Sequence, residues 1–320
     1  MSIHRSRQQR IRHGCCGCLE SDREKDGNMK DEREILALAD YHETFRVNGC
    51  EAELIINRKM EDHPCLFGFV TLTEQAEDVK ALFAAMEQRA RELGFHALVG
   101  PVNYCSWMQY RWAISRFDLH LFPDCTNPPY YPELIRAAGY EPLYTYRSAN
   151  IDMHNPQYQM GEVLYQQKLR EGFTFSLYEG DAVYSQADTV FAISSAAFRG
   201  SHLYCDIPLS YFRALYLQWT KGLKIALCTA EYQGKTVGFV MGYDSPDGTC
   251  FISKTSAVLP EYRKHKIYTA LMYLGWKYVT EHGYDKMMYH FQCEQKETFR
   301  RFDSEVESDE KRYAVFIKEF

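Results

Sequence analysis

The chain has 320 residues, of which 46% are hydrophobic and 25% charged, as in an ordinary globular protein of one or two domains. Its formal net charge of −6 and pI of about 6.0 argue against a surface built for nucleic acid or an anionic membrane. No apolar run approaches the roughly 18 residues that a membrane-spanning helix needs, and the N-terminal stretch lacks the apolar segment of a secretory signal. We therefore expect a cytoplasmic protein with no nucleic-acid or membrane partner, either a monomer or a homodimer.

Residues 1–28 are polar, basic at the start, and predicted to form a disordered tail that contains Cys15, Cys16 and Cys18. A metal site would need further ligands at a suitable spacing, so we expect no metal. The other eight cysteines are scattered singly through the chain. In a chain without a secretory signal this distribution indicates reduced, mostly buried thiols.

Residues 29–155 predict a mixed α/β unit that opens with a hairpin. Asn48-Gly49 between two strand-like runs is the strongest short-range hairpin signal. A third strand and a long amphipathic helix follow, and Gly94 ends that helix. In chain order the predicted elements are strands 41–47, 51–57 and 65–72, helix 74–93, strand 95–99, helix 131–138 and strand 141–152.

Residues 156–320 predict a similar order of elements, although no sequence repeat is visible. The predicted elements are helix 156–170, strand 173–178, helices 181–198 and 211–219, strands 224–232, 235–243 and 249–258, a helix ending at residue 282, strand 286–291, helix 294–302 and strand 312–320. We therefore predict two similar α/β domains in tandem, with a boundary near residue 155.

One stretch of the second half has the form of an anion site. The strand that ends at Leu259-Pro260 is followed by a basic turn, Glu261 to Lys266, and the turn leads directly into a helix. The first N–H groups of a helix have no partner within the helix, and they carry a partial positive charge. Such a helix start favours phosphate binding.

The second half resembles the GNAT superfamily of N-acetyltransferases over about Phe173 to Phe320, on the residues Ser253 to Arg263, Tyr268 to Leu271 and Tyr289-His290. The first half resembles the amino-terminal domain of a branch with two GNAT-like domains. The residues that carry this second resemblance are Gly100-Pro101-Val102-Asn103, Ser106-Trp107, Tyr110-Arg111, Asn127 to Pro132 and Ala138-Gly139-Tyr140. The resemblance implies an α/β fold with a mixed sheet, consisting of two tandem GNAT-like domains: a degenerate first domain (29–155) and a catalytic second domain (156–320).

The resemblance also implies an acyl-CoA donor, acetyl-CoA or another acyl-CoA, and no metal. The family's turn reads Arg or Gln, two residues, Gly, one residue, then Gly or Ala; its backbone amides bind the pyrophosphate. Here Arg263 matches the first position, whereas Lys266 and Tyr268 replace the two small residues, adding charge and bulk. The predicted donor-binding residues are Thr255, Ala257, Val258, Arg263, Lys264, His265, Lys266, Ile267, Tyr268 and Thr269.

Transfer to an amine requires a base, polarisation of the thioester and an acid for the leaving thiolate. His290 ends a strand beside the expected cleft and is a candidate base, with an ordinary pKa of about 6.5; Glu231 and Glu294 are alternatives. The leaving-group Tyr that the family carries on its next short helix is missing from 295–302, so Tyr289, Cys293 or solvent would have to supply the proton. The predicted acceptor contacts are Lys254, Tyr204, Asp206 and Glu294.

The sequence thus predicts an N-acyltransferase that moves an acyl group, acetyl in the simplest case, to the amine of a small molecule. Two alternatives stay open. In one, the altered turn has lost the donor and the protein is an inactive relative that binds a metabolite or a protein. In the other, the enzyme uses a carrier-protein or aminoacyl-tRNA donor.

Overall fold

The computed structural model describes residues 31–121, 126–151, 157–216, 220, 222–245, 247–284, 286–295 and 306–320. The predicted tail, the predicted boundary near residue 155 and nearly all of the predicted helix 294–302 lie outside this range. The described residues form a mixed 12-stranded sheet with helices on both faces, as predicted for an α/β fold. We call the residues up to 151 the first half and those from 157 the second half.

The strands are β1 (Tyr41–Val47), β2 (Cys50–Ile56), β3 (Cys65–Thr71), β4 (Ala97–Gly100), β5 (Trp112–Ala113), β6 (Glu141–Ile151), β7 (Phe173–Glu179), β8 (Ile225–Tyr232), β9 (Lys235–Asp244), β10 (Cys250–Val258), β11 (Lys286–Cys293) and β12 (Val306–Glu319). The main helices are α1 (Ala76–Glu92), α2 (Tyr130–Ala137), α3 (Gln157–Arg170), α4 (Ala187–Phe198) and α5 (Ile267–Glu281). Shorter helical turns are Glu32–Leu38, Asp181–Tyr184, Leu209–Tyr211, Phe212–Tyr216 and Pro260–His265.

Each half contains the same sequence of elements. In the first half β1, β2 and β3 pair antiparallel, and α1 connects β3 to the parallel strand β4. In the second half β8, β9 and β10 pair antiparallel, and α5 connects β10 to the parallel strand β11. The predicted tandem arrangement of two GNAT-like units is therefore confirmed in the order of their elements.

The two halves are joined by an exchange of strands at the centre of the sheet. The sheet order is β1-β2-β3-β4-β12-β6-β11-β10-β9-β8-β7. The last strand of the first half, β6, pairs with β11 of the second half, whereas β12 pairs with β4 of the first half. The two exchanged strands also pair with each other, antiparallel, along most of their length. Each half therefore completes the sheet of the other.

The helices cover the sheet with apolar faces. In α1 the buried residues recur at helical spacing, which is the pattern of a helix packed on a core. Phe83 of this helix contacts Phe67 of β3 edge to face, with ring centroids 5.0 Å apart. In the second half α3 crosses α5 closely, because Gly161 has no side chain: a Cβ there would lie 2.9 Å from Cβ of Tyr273.

Three predicted elements differ from the structure. The predicted helix 181–198 is two helices separated by Ser185 and Gln186. The predicted helix 211–219 is described only up to Tyr216. It begins within a short turn, Leu209–Tyr211, and continues as a wider π-type turn, Phe212–Tyr216. The final strand begins at Val306 rather than residue 312, since its polar beginning pairs with Ile151 at the end of β6; only the tertiary partner makes this segment a strand.

Candidate functional site

The parallel strands β10 and β11 separate halfway along their length. They pair from Cys250 and Lys286 to Ser253 and Tyr289. Beyond this point β10 continues to Val258 beside β9, and β11 continues beside β6. An irregularity in the pairing between Ser253 and Thr255 marks the point of separation. Among the described residues, the β11-facing backbone edge of Ser256–Val258 lies beside no strand and can therefore bind an extended ligand.

The turn after β10 places a positively charged helix start at the far end of this opening. Pro260–His265 forms a 3₁₀ turn, and Lys266 adopts the left-handed conformation, with φ 56° and ψ 23°, immediately before α5 begins. Glycine favours this conformation and lysine does not. The substituted glycine position therefore keeps a glycine-like backbone. No acidic residue occupies the first turn of α5, which favours an anion at this helix start.

One side chain of the turn and one of the first turn of α5 contact other parts of the second half. Nη2 of Arg263 donates a hydrogen bond to the carbonyl oxygen of Ala197, at the end of α4, over 2.6 Å. The Tyr268 ring is partly buried against the main hydrophobic core. The Tyr268 ring is therefore not fully exposed above the helix start, where it would have blocked an approaching phosphate.

The candidate base His290 directly follows the residue at which β10 and β11 separate. Its imidazole is 5% exposed, and Nδ1 lies 2.8 Å from Oγ of Ser148. Burial holds the His290 pKa well below its usual range, and the positive charges of Lys254, Arg111 and Lys311 lower this pKa further. The imidazole is therefore neutral at pH 7. Nε2 is buried and has no hydrogen-bond partner.

The other two predicted catalytic residues are not beside this imidazole. Tyr289 precedes His290 on β11, and adjacent strand residues project to opposite faces of the sheet. Glu231 is exposed on β8, where it pairs with Thr236 near the end of β10 that leads into the turn. His290 and Tyr289 are thus adjacent on β11 but face opposite sides of the sheet. Glu231 lies apart from both, near the turn.

Three predicted acceptor contacts are already engaged within the protein. The Tyr204 hydroxyl donates to Oδ1 of Asp206 over 2.8 Å, and Oδ2 of Asp206 lies 3.2 Å from Nη2 of Arg199. Oε1 of Glu294 lies 3.8 Å from Nη1 of Arg312. An acceptor would have to compete with these interactions, so the binding roles of Tyr204, Asp206 and Glu294 stay predictions.

The loop that carries Tyr204 joins the two halves. Its backbone carbonyl at Leu203 accepts from the N–H of Ser106, over 2.8 Å, and the carbonyl of Cys205 accepts from Nε1 of Trp107, over 3.1 Å. The Trp107 ring lies 5.9 Å from that of Tyr204. These contacts make the loop part of the interface between the halves.

A cluster of cations surrounds one aromatic ring at the junction of the halves. Cζ of Arg111 lies 3.5 Å from the centre of the Phe291 ring, and Nζ of Lys254 lies 4.6 Å from the same centre. We call Arg111, Lys254, His290 and Phe291 the junction cluster. Lys254 was predicted from the sequence as a substrate contact. Arg111 was noted only as part of a motif, because nothing in the sequence pairs it with a ring 180 positions away.

A cavity of about 390 Å³ in the first half reaches the junction cluster. It lies beside the end of β3 and the segment after β4, where the N–H of Phe69 donates to Oδ1 of Asn103 over 2.7 Å. Tyr110 and Arg111 form part of its wall. The cavity and the junction cluster therefore share Arg111.

Within the described residues, no group of three or more His, Cys, Asp or Glu side chains could hold a metal ion. Among the helices that the structure describes, none is both long and apolar enough to cross a membrane.

Residues 188–300 match the family model of the GNAT acetyltransferases. The region contains β10, the basic turn, α5 and β11, so this part of the second half matches the GNAT acetyltransferase family, as the sequence predicted. No curated protein matches the chain.

Several solved structures are similar in overall architecture. A tandem GNAT protein from the clavulanic acid biosynthesis pathway is 14% identical with a TM-score of 0.48, over 92% of this chain and 90% of that one. L-PGS from Bacillus licheniformis is 14% identical with a TM-score of 0.45, over 94% and 91%. FemX is 11% identical with a TM-score of 0.39, over 90% of each chain.

Proposed function

We propose that the protein is an N-acyltransferase that moves an acyl group, acetyl in the simplest case, from acyl-CoA to the amine of a small molecule. The observation that carries the proposal is the opening between β10 and β11, which leads to a left-handed turn and a basic helix start. An extended thioester fits an open strand edge, and a pyrophosphate fits a helix N-terminus. We place the donor along Thr255–Val258 and its phosphates at Arg263 to Thr269.

The reaction would occur where the strands separate. The amine nitrogen attacks the thioester carbonyl carbon, the carbon–sulfur bond breaks, the amine loses a proton and the thiolate gains one. Backbone N–H groups of Thr255–Val258 would stabilise the charge that develops on the carbonyl oxygen. His290 is our candidate to receive the amine proton, at Nε2. Tyr289 is our candidate to protonate the thiolate through the opening.

The direction of the Ser148 hydroxyl proton determines which ring nitrogen of His290 carries the imidazole proton. When Ser148 directs its hydroxyl proton to the Tyr313 hydroxyl oxygen, 3.4 Å away, Nδ1–H of His290 donates to Ser148 and Nε2 keeps its lone pair. A second N–H, from the Phe291 backbone, also donates to the Ser148 oxygen, over 3.2 Å. This arrangement supports Nε2 as the proton-accepting atom.

Calorimetric titration with acetyl-CoA tests the donor site. We expect the natural protein to bind, and the double variant Lys266→Gly/Tyr268→Gly to bind with similar affinity, because glycine adopts the same left-handed backbone while one positive charge is lost. Binding only by the double variant would show that Lys266 and Tyr268 block the turn. If neither protein binds acetyl-CoA or CoA, the proposed function is wrong.

Release of free thiol from acetyl-CoA tests catalysis separately from binding. We expect a panel of small amines to contain at least one acceptor that accelerates thiol release above the rate with buffer alone. Binding of acetyl-CoA without release for any amine would favour the inactive relative. Release only from an acylated carrier protein or from aminoacyl-tRNA would replace the proposed donor.

A further inference from the structure

Arg111 is a buried positive charge at the junction of the two halves. Its side chain is 4% exposed, and among the described residues no carboxylate lies within ion-pair distance of it. Its Nη1 donates to the hydroxyl of Tyr110 over 2.9 Å, but its Nε is buried and has no hydrogen-bond partner. Burying an ionised group in this way is unfavourable unless another group compensates for the lost hydration.

Aromatic rings provide part of that compensation and shape the site. Cζ of Arg111 lies 3.8 Å from the ring centre of Tyr110, 4.6 Å from that of Tyr146 and 3.5 Å from that of Phe291. Ring faces attract a cation but bring no negative charge. The planar guanidinium is therefore held in position, and its charge is not neutralised by these contacts.

The positive groups of the junction, Arg111 included, come from both halves. Lys254 belongs to β10, Lys311 to β12 and Arg111 to the loop before β5, and all three raise the electrostatic potential at His290. The buried Nε2 of His290 also lacks a hydrogen-bond partner. A positively charged region with unpartnered buried nitrogen atoms is suited to an anion that is also a hydrogen-bonding partner.

The cavity borders Arg111. Its acidic residues are already engaged: Glu32 accepts from the N–H of Gln109 over 2.6 Å, and Asp31 accepts from the N–H of Arg33 over 3.0 Å. Burial raises the pKa of the Glu32 carboxyl. The other arginine of the cavity wall, Arg33, is paired with Glu51 and Glu53.

The geometry points to a carboxylate-binding site at Arg111 and Lys254, so that the acceptor is an amino carboxylate, of the amino-acid class. The inference rests on the proposed function in placing the acceptor's amine at the opening between β10 and β11. A planar carboxylate matches the planar edge of a guanidinium through two parallel hydrogen bonds. Bound there, the carboxylate offsets the positive field at His290 and makes Nε2 a stronger base while the acceptor is present.

Product-like ligands test the site without turnover. Thermal unfolding is measured with N-acetyl derivatives of the common L-amino acids and with the matching N-acetyl carboxamides, at constant ionic strength. We expect at least one carboxylate to raise the Tm of the natural protein by a few degrees and its amide to raise it much less. Inorganic phosphate, the alternative anion, should give no comparable shift.

Variants locate the effect. We expect Arg111→Met to weaken binding of the stabilising carboxylate by about tenfold or more. Arg111→Lys, which keeps the charge but loses the planar fork, and Lys254→Met should weaken it less. Arg33→Met is the matched control, since Arg33 lines the same cavity but is already paired, and it should leave the shift unchanged.

The inference is overturned if no carboxylate of the panel stabilises the protein, if the amides act equally well, if phosphate alone acts, or if Arg111→Met keeps the full shift. Should Arg111→Met fail to fold, Arg111→Lys and Lys254→Met give the same decision. Titration with acetyl-CoA on the same samples separates the two proposals. If acetyl-CoA does not bind but the carboxylate still raises the Tm, only the proposed function is refuted. If acetyl-CoA binds but no carboxylate raises the Tm, only the carboxylate site is refuted.

Discussion

The two halves have the same order of elements but opposite charges at the corresponding helix start. In the first half α1 begins after Gln75, in extended conformation, and carries Glu77 and Asp78 in its first turn. In the second half α5 begins after the left-handed Lys266 and has no acidic residue in its first turn. Acidic side chains stabilise a helix N-terminus from within the protein, whereas a basic turn leaves that end for an external anion.

The parallel strand pairs differ in a related way. In the first half β3 and β4 pair at a single position, the N–H of Val102 still donates to the carbonyl oxygen of Phe67, and the cavity lies beside the residues that follow. In the second half β10 and β11 pair over four positions before they separate. The shared fold therefore provides two openings, and the side chains around each opening determine which ligand it can hold.

The largest effect should come from the strand that crosses between the halves. Phe316 of β12 is fully buried in the core of the first half, with its ring 6.2 Å from that of Trp112. We expect Phe316→Ala to lower the free energy of unfolding by about 3–5 kcal/mol. Urea unfolding followed by circular dichroism measures it, and the exposed Glu319→Ala is the control. A change within the error of that control would contradict the exchange of strands.

Reversing the charge of the basic turn before α5 should make this helix start resemble the acidic start of α1. We expect Lys264→Glu/Lys266→Glu to weaken acetyl-CoA binding by about tenfold or more, because two attractions become repulsions beside the helix start. The control, Glu74→Lys/Glu77→Lys in the first half, should leave calorimetric affinity unchanged. A loss of affinity in the first variant with a gain of similar size in the second would mean that net charge, and not the turn, controls binding.

One part of the pH dependence of stability should arise at His290, in the second half. The end of β4 has no ionisable residue, whereas β11 carries His290, whose pKa is well below its usual range. Below about pH 6.5 the unfolded chain binds a proton that the native state does not, so stability falls as the pH falls, by up to about 1.4 kcal/mol per pH unit. Urea unfolding at pH 7 and pH 5 should show His290→Gln losing this part of the slope and the exposed control His96→Gln keeping it. An unchanged slope in His290→Gln would mean that other groups cause the dependence.

The smallest effect concerns the backbone of the turn. Lys266 has a positive φ, which disfavours any residue with a Cβ, so Lys266→Gly should raise the free energy of unfolding by about 0.5–1 kcal/mol. Lys264→Gly has no positive φ to relieve and should not stabilise. Thermal unfolding of the two variants measures the difference, and stabilisation by Lys264→Gly alone would contradict the expectation.

Local signals in the sequence were sufficient for most elements. The Asn48-Gly49 hairpin, the apolar spacing of α1 and the strand–turn–helix unit around Arg263 all lie within short windows, and the structure contains each of them. The exchange of β6 and β12 could not be predicted, because it pairs residues more than 150 positions apart and both alternatives bury the same apolar faces. Arg111 was missed as a site residue for the same reason: its relation to Phe291 exists only in the assembled sheet.

The exchange also constrains how the protein can be made. On the ribosome, β1 to β4 and β6 are synthesised long before β12, which follows every other described element. Domains generally fold as they emerge, the N-terminal one first. At that stage β12 does not yet exist, so β4 cannot form the pairing that it has in the folded protein. The nascent first half therefore carries an open strand edge, which is prone to pair with other chains. We therefore expect the incomplete chain to aggregate more readily than a chain of two independent domains of the same size would.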